Sequence, residues 1–170
     1  MNRRTFLLTS TIVAFAPVTP ADAQSKKLAI GLLGLNSREA VAKTYAAFFQ
    51  GLAEKGFFEG RDFDVTDQWA DGDYSRLPSL AADMARANPA LIVAFSPAAA
   101  LAVRASTSRI PVVFTTGGDP VALGLVGSLA RPEGNLTGMY FLSRGLDAKC
   151  LELINEAVPG SDAIAIIADP

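Results

Sequence analysis

The chain has 170 residues, of which 50% are hydrophobic and 19% charged, enough for one domain of ordinary size and too apolar for a disordered chain. Its formal net charge of −2, with no basic stripe, argues against nucleic acid as the main partner. It contains no histidine, which excludes a Ser-His-Asp triad, a Cys-His pair and a His-ligated metal, and its single cysteine, Cys150, excludes an internal disulfide.

Residues 1–23 read as a secretory leader. Arg3 and Arg4 form a positive start, the apolar stretch from Phe6 to Ala16 is too short to span a membrane stably, and Ala21-Asp22-Ala23 is a small-residue cleavage site. Asn2 to Leu7 also fits a twin-arginine signal, with the Sec route and an N-terminal membrane anchor as the alternatives. Cleavage after Ala23 would start the mature chain at Gln24 and place the domain outside the cytoplasm, where chemistry that depends on NAD or ATP is improbable.

Leu28 to Leu33 is a continuous apolar run, expected to be a strand buried on both faces. Asn36 or Ser37 is the expected N-cap of a helix whose apolar face is Val41, Tyr45, Phe48, Phe49 and Leu52, ending at Lys55-Gly56. Gly31 and Gly34 lack the dinucleotide-binding spacing. Asp62 to Trp69 alternates, with Phe63, Val65, Asp67 and Trp69 on one side; this fits an edge strand, although Asp67 interrupts the apolar side. Asp67, Asp71 and Asp73 lack calcium-loop spacing and are read as turn and capping residues.

A second helix follows from Leu77, Leu80, Ala81, Met84 and Ala85, with Pro78 in its first turn and Asn88-Pro89 as its stop. Ala90 to Phe95 is a third strand, and Ser96 and Pro97 are the N-cap and first residue of a helix over 98–106. Pro111 to Phe114 is the fourth strand. Thr115 to Pro120 then makes a polar turn and, with proline in the first turn, is expected to start another helix. Arg131 to Asn135 is a turn, and Leu136 to Phe141 returns to the sheet. Gly145 to Val158 is a helix carrying Leu146, Cys150, Leu153, Ile154 and Ala157, which makes Cys150 a buried, inert thiol; Ala163 to Ala168 is a further strand. The alternation of strand and helix defines an α/β fold with an open, mostly parallel sheet of order 2-1-3-4-5 and helices on both faces.

The run GDPVALGLVGSLARPEGNLTG, Gly118 to Gly138, resembles the tryptophan/tyrosine type of substrate-binding protein that serves ABC importers. WADGDYSRLPSLAADMA, from Trp69, resembles the same family, as do the Ser96-Pro97 turn and, less closely, the Gly56 to Arg61 connector. Glu133 stands where the family usually has glycine. The resemblance implies a type I periplasmic-binding fold, with two α/β lobes closing on a small ligand. On that reading 24–142 is the N-terminal lobe and 143–170 the crossing helix and first strand of an incomplete second lobe. The resemblance implies no cofactor; the partners would be an amino acid-like ligand and the ABC permease subunits of the inner membrane, with the protein in the periplasm.

Ligands of open α/β sheets bind at the carboxyl ends of the strands. The candidate positions are therefore the turns after strands 1, 3 and 4: Asn36 and Ser37; Ser96, Pro97 and Ala98; Thr116, Gly117, Gly118 and Asp119. Helix-start N–H groups suit a carboxylate and Asp119 an ammonium, so a hydrophobic or aromatic amino acid fits; each of these residues could equally be only a cap or turn former. Asn135 is read as a turn residue. Two readings stand beside an importer component: a truncated half-lobe product without tight binding, which would self-associate through uncovered faces, and an enzyme. The missing histidine, the missing G-x-S-x-G elbow and the lack of paired cysteines speak against the enzyme.

Overall fold

A computed structural model of the chain describes residues 27–141, 147–158, 163 and 165. The leader, residues 142–146 with the expected helix start at Gly145, and most of the expected strand Ala163–Ala168 lie outside these residues.

Five strands form one parallel sheet in the order β2-β1-β3-β4-β5. They are β1 (Leu28–Gly34), β2 (Phe63–Trp69), β3 (Leu91–Ala94), β4 (Val112–Thr116) and β5 (Leu136–Tyr140). Strands β1 and β3, covered by helices on both faces, carry the continuous apolar runs. Strand β2, at an edge, buries Phe63 and exposes Asp64 and Thr66, as its alternating sequence requires.

Helices α2 (Leu77–Ala87) and α3 (Pro97–Ser106) cover one face of the sheet, packing Leu77, Ala81, Met84, Ala99, Ala100 and Val103 against Leu33, Ile92, Ala94, Val112 and Phe114. Helix α1 (Ala42–Glu54) covers the other face over β1 to β3, where Tyr45, Phe48, Phe49 and Leu52 rest on Ile30, Leu32, Phe63 and Val93. The α2 and α3 boundaries follow their sequence signals. Asp73 accepts from the Ser75 N–H at 2.9 Å and caps the 3₁₀ turn Tyr74–Arg76 that leads into α2, and Pro78 sits in the helix's first turn. Asn88, at φ +50°, ends α2. Ser96 Oγ accepts from the Ala99 N–H at 3.1 Å at the start of α3, with Pro97 as first residue.

Three expectations are corrected. Helix α1 starts at Ala42, with no side-chain cap, rather than just after Asn36 or Ser37. The Ser37 hydroxyl instead accepts from the Ala40 N–H at 3.2 Å and closes an irregular turn in which the Val41 N–H reaches the Ser37 carbonyl. No helix follows Pro120: a single turn, with the Leu123 N–H on the Asp119 carbonyl, ends where Gly124 takes φ +69°. Cys150 is exposed, since α4 (Asp147–Ala157) carries it at a position on which no described residue packs.

Asn135 holds the turn before β5, as its composition predicts, and does more. Its Nδ2 donates to the carbonyls of Ile110 at 2.7 Å and Thr107 at 3.3 Å, pinning β5 to the loop that enters β4. Gly138, opposite Phe114 in the β4–β5 register, has room for no side chain: a Cβ would sit 2.2 Å from the Phe114 carbonyl oxygen. Among the described residues no helix is long and apolar enough to cross a membrane.

Candidate functional site

Because β1, β3 and β4 are adjacent and parallel, the turns that leave them line one edge of the sheet. The sheet thus brings the nine sequence-selected residues to that edge in three groups, with different chemistry in each.

After β1, Asn36 is exposed and its side chain makes no hydrogen bond among the described residues, while the Ser37 hydroxyl is engaged with Ala40. After β3, the start of α3 leaves one donor. Pro97 has no N–H, Ala99 bonds the Ser96 hydroxyl, and Ala100 bonds the Ser96 carbonyl, so the Ala98 N–H is what the helix end presents. After β4, Thr116 is 2% exposed, and its hydroxyl both donates to the Gly118 carbonyl at 2.9 Å and accepts from the Gly118 N–H at 3.0 Å. Thr116 therefore shapes the Gly117-Gly118 turn and offers no side-chain atom outward. Asp119 is exposed; its Oδ1 accepts from the N–H groups of Val121 at 2.8 Å and Ala122 at 3.3 Å. This turn role uses one carboxylate oxygen.

Beside these turns stands a group of side chains that the sequence reading left unassigned. Trp69, the last residue of β2, lays its indole against Gly34, where a Cβ would come within 2.1 Å of the ring. The indole stacks on Phe95 with ring centres 5.9 Å apart and meets the edge of Tyr45 at the same distance. Asp67 ties the group together. It accepts from Trp69 Nε1 at 2.9 Å, lies 3.5 Å from the Arg38 guanidinium, and faces the Tyr45 hydroxyl. Arg38 also covers the Tyr45 ring at 4.7 Å. Burial first, and then the Asp67 carboxylate, push the Tyr45 hydroxyl above its ordinary range, so it stays protonated and able to donate. The only sequence signal for this group was the misfit of Asp67 on an otherwise apolar strand face.

A concavity of about 760 Å³ lies elsewhere. It opens at the opposite edge of the sheet, between the ends of α2 and α3, lined by Arg86, Asn88, Thr107, Arg109 and Pro111. Two helix C-termini point their carbonyls there, which disfavours an anion despite the arginines. The carboxyl edge lays its donor and acceptor groups open along one side, as expected of one face of a cleft.

The chain resembles known proteins over nearly all of the part that carries this edge. Residues 29–170 match the family model described as ABC transporter substrate binding protein. A tyrosine-binding protein of Clostridioides difficile is 33% identical over 143 residues, covering 84% of this chain and 41% of the relative. Among solved structures, a conserved domain protein of Vibrio cholerae superposes with a TM-score of 0.72 at 29% identity, over 79% of this chain and 45% of that one. An ABC domain from Streptococcus pneumoniae in complex with L-Trp gives 0.62 at 26%, over 67% and 38%. The chain thus spans less than half the length of each of these relatives.

Proposed function

Since the chain belongs to the ABC transporter substrate binding protein family, we propose that it forms the ligand-binding first lobe of an extracytoplasmic importer component for a hydrophobic or aromatic amino acid. The observation that carries the reading is the placement of the turns after β1, β3 and β4 on one edge of the sheet, within a sequence that matches the family from residue 29 onward. In this reading the ligand carboxylate lies at the start of α3 near the Ala98 N–H, with Asn36 and Ser37 beside it. The ammonium faces Asp119, whose second carboxylate oxygen is not used by the turn. Ser96, Pro97, Thr116, Gly117 and Gly118 hold these groups in place.

The ligand class is supported by the relatives, one named for binding tyrosine and one solved with L-Trp. Export through the leader, with residues 1–23 removed, and delivery to an inner-membrane permease complete the proposal; residues 24–142 are the lobe and 143–170 the start of the crossing to a second one. Isothermal titration of the purified protein with L-tyrosine, L-phenylalanine, L-leucine and glycine tests the binding. Saturable binding of the larger amino acids, weakened about ten-fold or more by Asp119→Ala, is expected, because a charge-assisted bond to the ammonium is worth about 1.5–3 kcal/mol. Unchanged affinity in both Asp119→Ala and Ser96→Ala would remove the site assignment, and no binding of any of the four would remove the function.

A further inference from the structure

We infer that the rings of Tyr45, Trp69 and Phe95 form the wall against which the flat apolar group of the ligand lies, with Asp67 as the residue that positions them. This rests on the proposed function and deepens it, by assigning selectivity to side chains outside the three turns.

Four observations converge. First, the rings belong to the same sheet edge as the candidate turns. Trp69 ends β2 beside the end of β1, Phe95 immediately precedes Ser96, and Arg38 immediately follows Ser37. Second, they are half-buried, as are Phe48 and Phe49 that back them from α1, whereas Phe63, at the other end of β2 on the same sheet face, is 3% exposed. A wall needs rings that are held by neighbours yet keep some surface free.

Third, the arrangement is built around polar contacts that a plain apolar core does not need. A carboxylate at position 67 is costly on the inner side of a strand unless it is engaged. Here it is engaged by the indole N–H, the guanidinium and the phenol, and so fixes the orientation of each. Fourth, Gly34 gives the indole its place: any side chain there would displace the ring, so the end of β1 is shaped for Trp69 to lie flat across it. Aromatic rings attract further rings in offset or edge arrangements, so the group that fits is an aromatic side chain in preference to a branched aliphatic one.

Trp69 is the only tryptophan in the chain, so its emission, excited at wavelengths where tyrosine does not absorb, reports on this wall alone. L-Phenylalanine, L-leucine and glycine are titrated up to their solubility limits, with isothermal titration and saturation-transfer NMR in parallel. The expected result is a saturable change of Trp69 emission with L-phenylalanine, strong saturation transfer to its ring protons, and no emission change with glycine. Tyr45→Leu and Phe95→Leu should each weaken L-phenylalanine about ten-fold while changing L-leucine less than three-fold. Asp67→Asn, which keeps the size of the side chain, should weaken L-phenylalanine without altering circular dichroism. It should also shift the emission of the ligand-free protein, because the indole N–H loses its charged acceptor; a purely structural Asp67 would not link that shift to aromatic selectivity. L-Phenylalanine bound with unchanged affinity in Tyr45→Leu and Phe95→Leu, or bound without any change in Trp69 emission, would overturn the wall and leave the proposed function standing. Absence of binding by all three ligands would overturn both.

Discussion

At Glu133 the backbone takes φ +54°, in the region that favours glycine, and the next residue, Gly134, takes φ +74°. In sequence Glu133 stands only as a departure from a family glycine; its backbone conformation gives that departure a cost. A left-handed conformation costs an ordinary residue about 1–2 kcal/mol, and glycine loses about 0.5–1 kcal/mol of chain entropy on folding, so the balance favours glycine. Glu133→Gly is expected to raise the unfolding free energy by about 0.5–1 kcal/mol, read from urea denaturation followed by circular dichroism; a decrease would show that the Glu133 side chain, packed near Gly127, contributes more than the strain removes. Asp67 shows the converse limit. Alternation placed it on the inner side of β2 correctly, yet no spacing rule connects it to Arg38 and Tyr45, which arrive from a turn and helix some 20–30 positions earlier. Residue roles set by local geometry, such as the Ser96 cap and the Asn135 turn, were legible; roles set by convergence of distant segments were not.

Among the elements, those with both a period and a punctuation mark were read well. Helices α2 and α3 have proline in the first turn, Asp73 caps the 3₁₀ turn that leads into α2 and Ser96 caps α3, and β1, β3 and β4 open on apolar runs beside turn residues. The misread helix starts had the mark but no helix directly after it. Pro120 follows an aspartate that accepts from Val121 and Ala122, a convincing helix start, but Gly124 at φ +69° ends it after one turn. Near α1, Ser37 caps a turn that closes before the helix begins. The cap before α2 has a measurable consequence. Hydrogen bonds from the Ser75 hydroxyl and N–H hold the Asp73 carboxyl below its ordinary value of 3.8. A depressed folded-state pKa adds stability that is complete above the unfolded value and is lost as pH falls through the folded one. Stability should therefore decline as pH drops below about 4, and Asp73→Asn should flatten that decline. Carboxyl ¹³C shifts recorded against pH check the premise, with the Asp73 midpoint expected below 3.8 and a midpoint at or above it refuting the assignment.

On the scale of the whole molecule, the topology was the most legible feature, since a right-handed parallel sheet with one strand per apolar run leaves few orders open, and 2-1-3-4-5 is the one formed. Its coverage was harder to read, because helix placement depends on which connections carry helices at all. With no helix between β4 and β5, the side of the sheet that α1 covers over β1 to β3 stays open over β4 and β5 among the described residues. Met139 there is 54% exposed, and α4 separately exposes Leu153 at 51% and Ile154 at 44%. Such apolar patches drive association in proportion to the area they can remove from water. The 170-residue chain should therefore sediment as a concentration-dependent mixture of monomer and larger species. Met139→Lys should shift that equilibrium at least ten-fold toward monomer, because losing one buried methionine contact costs about 1.5–3 kcal/mol. Sedimentation velocity over a wide concentration range decides it: a chain that stays monomeric throughout would show that the open part of the sheet is too small to matter. A shifted equilibrium would identify the surface through which the lobe is stabilised by a neighbour. Met139 pairs with Thr115 in the β4–β5 register, next to the Thr116 turn, so the Met139→Lys variant is to be titrated with amino acid as well as sedimented, and a loss of both would place association and binding on neighbouring surface.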